Sequence, residues 1–254
     1  MASRARSSLI LALAAFLAVP AAAQQPPQNL KVLPKDIPRP ELTRIMRGFT
    51  QSLGVRCEYC HALKDGVTPA PGQNIEISML NLPSDAKPTK EKARFMLRMT
   101  DSLNRVVLAS LPERRDPPVA VTCMTCHRMM PVPTTIEAVL AETHGKAGVD
   151  SAVARYRALR AADIASGKFN FGERPVSEVA AQLGEQGKHA DGIKLLEMLQ
   201  EFYPNSTAID RQIAQLHIGA GNRDAAIARL RAALAKDPND AQAQRMLQQL
   251  GVQP

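Results

Sequence analysis

Residues 57–61 read Cys57–Glu58–Tyr59–Cys60–His61, and residues 123–127 read Cys123–Met124–Thr125–Cys126–His127. Together they hold all four cysteines of the 254-residue chain, each pair spaced C-x-x-C with His immediately after. Two cysteines three positions apart on a helical turn present both thiols to the two vinyl groups of one porphyrin. The adjoining His then lies beneath the ring, where its imidazole binds iron. The pattern predicts two covalently attached haem c groups, one on Cys57, Cys60 and His61, the other on Cys123, Cys126 and His127. A four-Cys zinc site or two structural disulfides would use the same cysteines but leave both histidines unexplained. A thioredoxin-type pair needs a βαβ context, which this helical sequence lacks.

Each cysteine motif follows a predicted helix. Pro40 suits a first helical turn, and Leu42, Ile45, Met46, Phe49 and Leu53 recur at helical spacing before Gly54, a good stop. A second helix opens near Thr89, with Ala93, Met96, Thr100, Leu103 and Val107 on one face, and Pro112, Pro117 and Pro118 end it. Between them, residues 64–87 read as loop, so the order helix, Cys pair, loop, helix, Cys pair is a duplicated unit. A sixth iron ligand, or an open face, separates a carrier from a catalyst. Met46 and Met96 sit on the apolar helix faces that must meet the porphyrins, although a Met at helical spacing is ordinarily core. Met99, Met129, Met130, Met79 and His144 compete with them.

Residues 30–134 resemble half of the cytochrome subunit of bacterial photosynthetic reaction centres. The matching residues are Met46, Ser52–Leu53–Gly54–Val55 leading into Cys57–His61, Ala93–Thr100 with Leu103–Asn104, Val121–Arg128, and Pro131–Val132–Pro133. That subunit carries four haems in two pseudo-symmetric pairs, and a Met on the preceding helix ligates most of them. The resemblance therefore implies Met46 as ligand of the first haem iron and Met96 of the second, with Met99 next in line. The family's helix also supplies a His to a distant fourth haem, fourteen residues after the Met; here that position is Ser110. One haem pair is missing from this chain, and Met129–Met130 replaces the Gly usual after Cys–His–Arg.

From Ile136 onward the composition turns Ala-, Leu- and Arg-rich. Gly187 recurs as Gly221, Ile193 as Ile227, Leu196 as Leu230, Pro204–Asn205 as Pro238–Asn239, and Val179 as Ile213 and Leu247. This 34-residue period resembles the tetratricopeptide repeat. Helices at Ile136–Glu142 and Ser151–Ala165 are expected to join the same stack. The predicted fold class is mainly α: a dihaem domain over 24–135 with little regular strand, then a helical repeat domain over 136–254.

The first 23 residues read as a secretory signal: Arg4 and Arg6, the eleven-residue apolar run Leu9–Val19, and small Ala21 and Ala23 before Gln24. Eleven residues fall short of the roughly twenty needed to span a bilayer, and no later stretch qualifies. The expectation is an exported, periplasmic protein without a transmembrane segment. Aromatic residues make up only 4% and Trp is absent, so a large core must be aliphatic or filled by a cofactor. The formal charge of +8 suits an acidic redox partner; nucleic acid is excluded by export and by the lack of basic runs interleaved with aromatics. The expected function is electron relay between redox partners, or to a membrane electron-transfer complex, with the repeats for docking. The alternatives are a dihaem enzyme such as a peroxidase, which needs an open iron face and acid–base groups, and an assembly scaffold acting through the repeats.

Overall fold

A computed structural model describes residues 27–253; the expected signal, 1–23, lies outside the described residues. Helix α1 (Arg39–Leu53) places Pro40 and Glu41 in its first turn, where a missing N–H costs nothing and a negative charge meets the helix dipole. Gly54 ends it at φ 64°, a left-handed conformation cheap only for glycine. A single 3-10 turn, Cys57–Tyr59, carries the first cysteine motif. Strands β1 (Ala62–Leu63) and β2 (Leu80–Asn81) then pair antiparallel and close the intervening loop.

Helix α2 (Pro88–Ser102) runs into a π-helical turn at Leu103–Val107 and a 3-10 turn at Leu108–Ser110. The Asn104 side chain closes the segment after it: its amide donates to the Val121 carbonyl at 2.8 Å, and its oxygen accepts from the Val121 N–H at 2.7 Å. The next residue, Thr122, caps α3 (Cys123–His127) in a reciprocal box with Thr125. Arg128 and Met129 follow at φ 46° and 62°. The turn brings the Met129 N–H to the Ser52 carbonyl at 2.8 Å, against Gly54. A Cβ at Gly54 would lie 2.3 Å from the Met129 oxygen. The end of α1 and the end of the second cysteine motif thus clasp each other. Asp85 fastens the leader, accepting from Lys31 at 2.7 Å and Arg94 at 2.8 Å.

After Thr135, which caps it, α4 runs from Ile136 to Asp163 with one non-helical residue, Gly148 at φ 79°. The expected break between 142 and 151 is present but narrow: it is confined to Gly148, with helix on both sides. Then come α5 (Glu173–Glu185), α6 (His189–Phe202), α7 (Thr207–Gly219), α8 (Arg223–Lys236) and α9 (Ala241–Gln249). Glu173, Thr207 and Ala241 open alternate helices 34 residues apart, as do His189 and Arg223. Gly187 and Gly221, at φ 76° and 77°, turn the chain at equivalent positions. The fold is mainly α.

Ile136, Leu140, Tyr156, Val176, Leu195, Leu199 and Ile213 belong to one core, and Ala226, Leu230, Ala243 and Leu247 to a second. The His144–Asp191 hydrogen bond and the ion pairs Asp150–Lys194 and Arg157–Glu201 tie α4 along α6. The Phe171 carbonyl accepts from Tyr156, Tyr203 and Arg160, bracing the turn between α4 and α5. No described helix is long and apolar enough to cross a membrane.

Candidate functional site

Both cysteine motifs open onto one cleft. Met46, Phe49 and Leu53 of α1, Ala93 and Met96 of α2, and Cys57, Cys60, His61, Cys123 and His127 all line it. Its volume of about 370 Å³ falls in the ~300–1,000 Å³ span of cofactor sites. The helical faces read from the sequence explain the arrangement. Met46, Phe49 and Leu53 recur at three- and four-residue spacing on α1, so one stripe of side chains meets the cleft. Tyr59, Ile77, Leu82 and Met96 are exposed large apolar residues that also line it.

The two histidines are held alike. His61 Nδ1 lies 3.2 Å from the Leu82 carbonyl, and His127 Nδ1 lies 2.9 Å from that of Met130. A carbonyl only accepts, so each Nδ1 carries the hydrogen and donates it. Each Nε2 is then left with its lone pair, the tautomer that binds a metal. Burial, joined by the charge of Lys90, holds the His61 pKa below its ordinary value, which favours the neutral ligand form. Burial also raises the Cys60 and Cys123 thiols.

Among the described residues no group of three or more His, Cys, Asp or Glu is arranged to hold a metal ion. None of the four cysteines is in a disulfide. An apolar cleft with thiols, two imidazole Nε2 atoms and two thioether sulfurs on its walls fits haem c.

The competing ligands fall elsewhere. His144 bonds Asp191 through Nε2 at 2.8 Å, on the α4–α6 seam. Met79 ends the 3-10 turn before β2, and its carbonyl accepts from the Lys64 N–H. Met129 and Met130 supply backbone contacts, to Ser52 and to His127. Met99, one turn beyond Met96, and Cys126 are not among the residues that line the cleft. Sequence reasoning missed Leu82 and Met130, whose carbonyls orient the histidines. Residue type carries no signal for a backbone acceptor, and their positions depend on the β1–β2 pairing and on the turn at Arg128–Met129.

The family model described as photosynthetic reaction centre cytochrome C subunit matches residues 22–174. The chain belongs to this family of c-type cytochromes. The match continues past the second cysteine motif through α4. A tetratricopeptide repeat model matches residues 184–250, covering α6 to α9. None of the curated proteins compared with the chain matches it. The family implies haem and a membrane electron-transfer partner, and the repeat implies protein interaction.

Proposed function

We propose that the chain is an exported, periplasmic dihaem c-type cytochrome that relays electrons between redox partners. Residues 24–135 form its haem domain, and 136–254 a repeat domain that docks the partner. The observation that carries the reading is the apolar cleft on which Met46, His61, Met96 and His127 converge, with both histidines in the ligating tautomer.

Cys57 and Cys60 would hold one porphyrin through thioether bonds to its vinyl groups, and Cys123 and Cys126 would hold a second in the same way. His61 and His127, oriented by the Leu82 and Met130 carbonyls, would each offer Nε2 to an iron. Met46 and Met96 would each offer a thioether sulfur to an iron, which would favour electron transfer over catalysis. Each haem, when bound, supplies a one-electron Fe(III)/Fe(II) couple. A thioether ligand raises its reduction potential relative to bis-His ligation.

The test is the absorption spectrum of the oxidised full-length protein, with its weak Met-sulfur-to-iron band. Met46→Ala and Met96→Ala should each remove about half of that band and turn one haem high-spin. Met99→Ala should leave it intact. A band lost with Met99→Ala, and kept with Met96→Ala, would move the second ligand one turn along α2.

A further inference from the structure

The charged side chains lining the cleft, histidines aside, are Arg39, Arg56 and Lys92, and no Asp or Glu lines it among the described residues. A porphyrin of the haem type carries two carboxylates. Placing them against apolar walls with no counter-charge is costly, so the sign of the lining charge matters.

The three cations differ in their commitments. Arg56 is already engaged, 3.2 Å from Glu58 and donating to Asn74 at 2.9 Å. Lys92 has no hydrogen bond or ion pair among the described residues. The nearby lysines do have partners: Lys87, just before α2, donates to the Glu58 carbonyl, and Lys90 to the Leu82 and Ser84 carbonyls at 2.7 and 2.8 Å. Lys92 also stands four residues before Met96, on the same face of α2. Arg39 stands seven residues before Met46, again on one face. The duplicated unit thus repeats a pattern: a cation at the N-terminal end of each Met-bearing face.

We propose that Lys92 is a positioning and potential-setting residue. It binds a propionate of the haem ligated by Met96, and Arg39 holds the equivalent place on α1. The inference rests on the reading that the cleft takes haem. A cation beside a propionate disfavours the extra positive charge of the oxidised iron, so it raises the potential. Removing it leaves the carboxylate uncompensated and stabilises the oxidised state.

The experiment is a spectroelectrochemical titration of the full-length holoprotein beside Lys92→Gln and Lys92→Arg, each with its intact mass measured. Lys92→Gln should shift the oxidised-to-reduced equilibrium of one haem about tenfold toward oxidised, about 59 mV downward for one electron. The other haem should move less, the Met–iron band should persist, and Lys92→Arg should restore most of the shift. Loss of one haem in Lys92→Gln, regained in Lys92→Arg, would also support the anchor. Two unchanged potentials in a Lys92→Gln protein that retains both haem masses would overturn it. A wild-type protein without haem mass would instead overturn the cytochrome reading itself.

Discussion

In residues 136–253, Leu195, Leu196, Leu199 and Leu230 are fully buried between helices. In residues 27–135, Ile37 and Leu80 are the described apolar residues buried to a comparable degree, whereas Val106, Val132, Phe95 and Ile77 are more than half exposed. The repeat half closes its own interior. Each helical pair buries its apolar stripe against the next, so side chains alone supply the driving force. The cytochrome half is arranged around a cleft, and local devices hold its elements: the Gly54–Met129 clasp, the Asn104–Val121 bridge and the Asp85 hub. Two halves of one chain therefore reach order by different means, one by aliphatic packing and the other by framing a cofactor.

The contrast is open to direct attack. Leu195→Ala, at a site with no exposure in the first core, should cost the repeat half about 2–5 kcal/mol. Its thermal transition, followed by far-UV circular dichroism, should fall while the haem spectra stay unchanged. Altered haem bands in that variant would mean that the two interiors are one. Gly54→Ala is the smaller, converse probe. It forces a side chain into left-handed backbone and against the Met129 oxygen, which should cost upwards of about 1 kcal/mol. Because Met129 follows the second motif, the second haem's spectrum should move with the first's stability. A shift confined to the first haem would show that the clasp does not couple the motifs.

The smallest effect concerns acid. Burial, the leading cause, and Arg229 lower the His217 pKa from 6.5, and its Nδ1 is buried without a partner. The unfolded chain takes up this proton more readily than the folded one. The contribution is therefore fully present above about pH 6.5 and is lost as pH falls through the folded value. In the cytochrome half, the Arg94 and Lys31 side chains beside Asp85 hold its carboxyl far below the usual range. Its contribution survives until pH drops below about 3.8. On mild acidification the repeat half should soften, and His217→Gln should flatten that slope in a pH series of thermal melts. A slope unchanged by His217→Gln would assign the acid sensitivity to other groups.

Much of this was legible in the sequence because the signals are local. Pro40 and Gly54 bracket α1, and the recurrence of Gly187 as Gly221 and Leu196 as Leu230 locates the paired helices of the repeat. The cysteine motifs and Met46 and Met96 could be placed on helices before any cleft was seen. What escaped depends on contacts between distant residues. Helix continues through Gly145 up to the non-helical Gly148 and resumes after it because Ile136, Leu140 and Tyr156 are locked into one core, a tertiary effect stronger than the propensity of Gly145. The carbonyls of Leu82 and Met130 became ligand-orienting groups only through the β1–β2 pair and the Arg128–Met129 turn. Ser52, an unremarkable polar residue in α1, acquired its role as the acceptor from Met129 in the same way.

The central claim is that the cytochrome half is completed by two covalently held haems. The most direct test is the intact mass of the purified protein, taken before and after acid–acetone extraction. The prediction is a mature chain heavier by two haem masses, with all of the pigment remaining on the protein after extraction. Pigment released into the acetone, or a mass matching the bare chain, would contradict it.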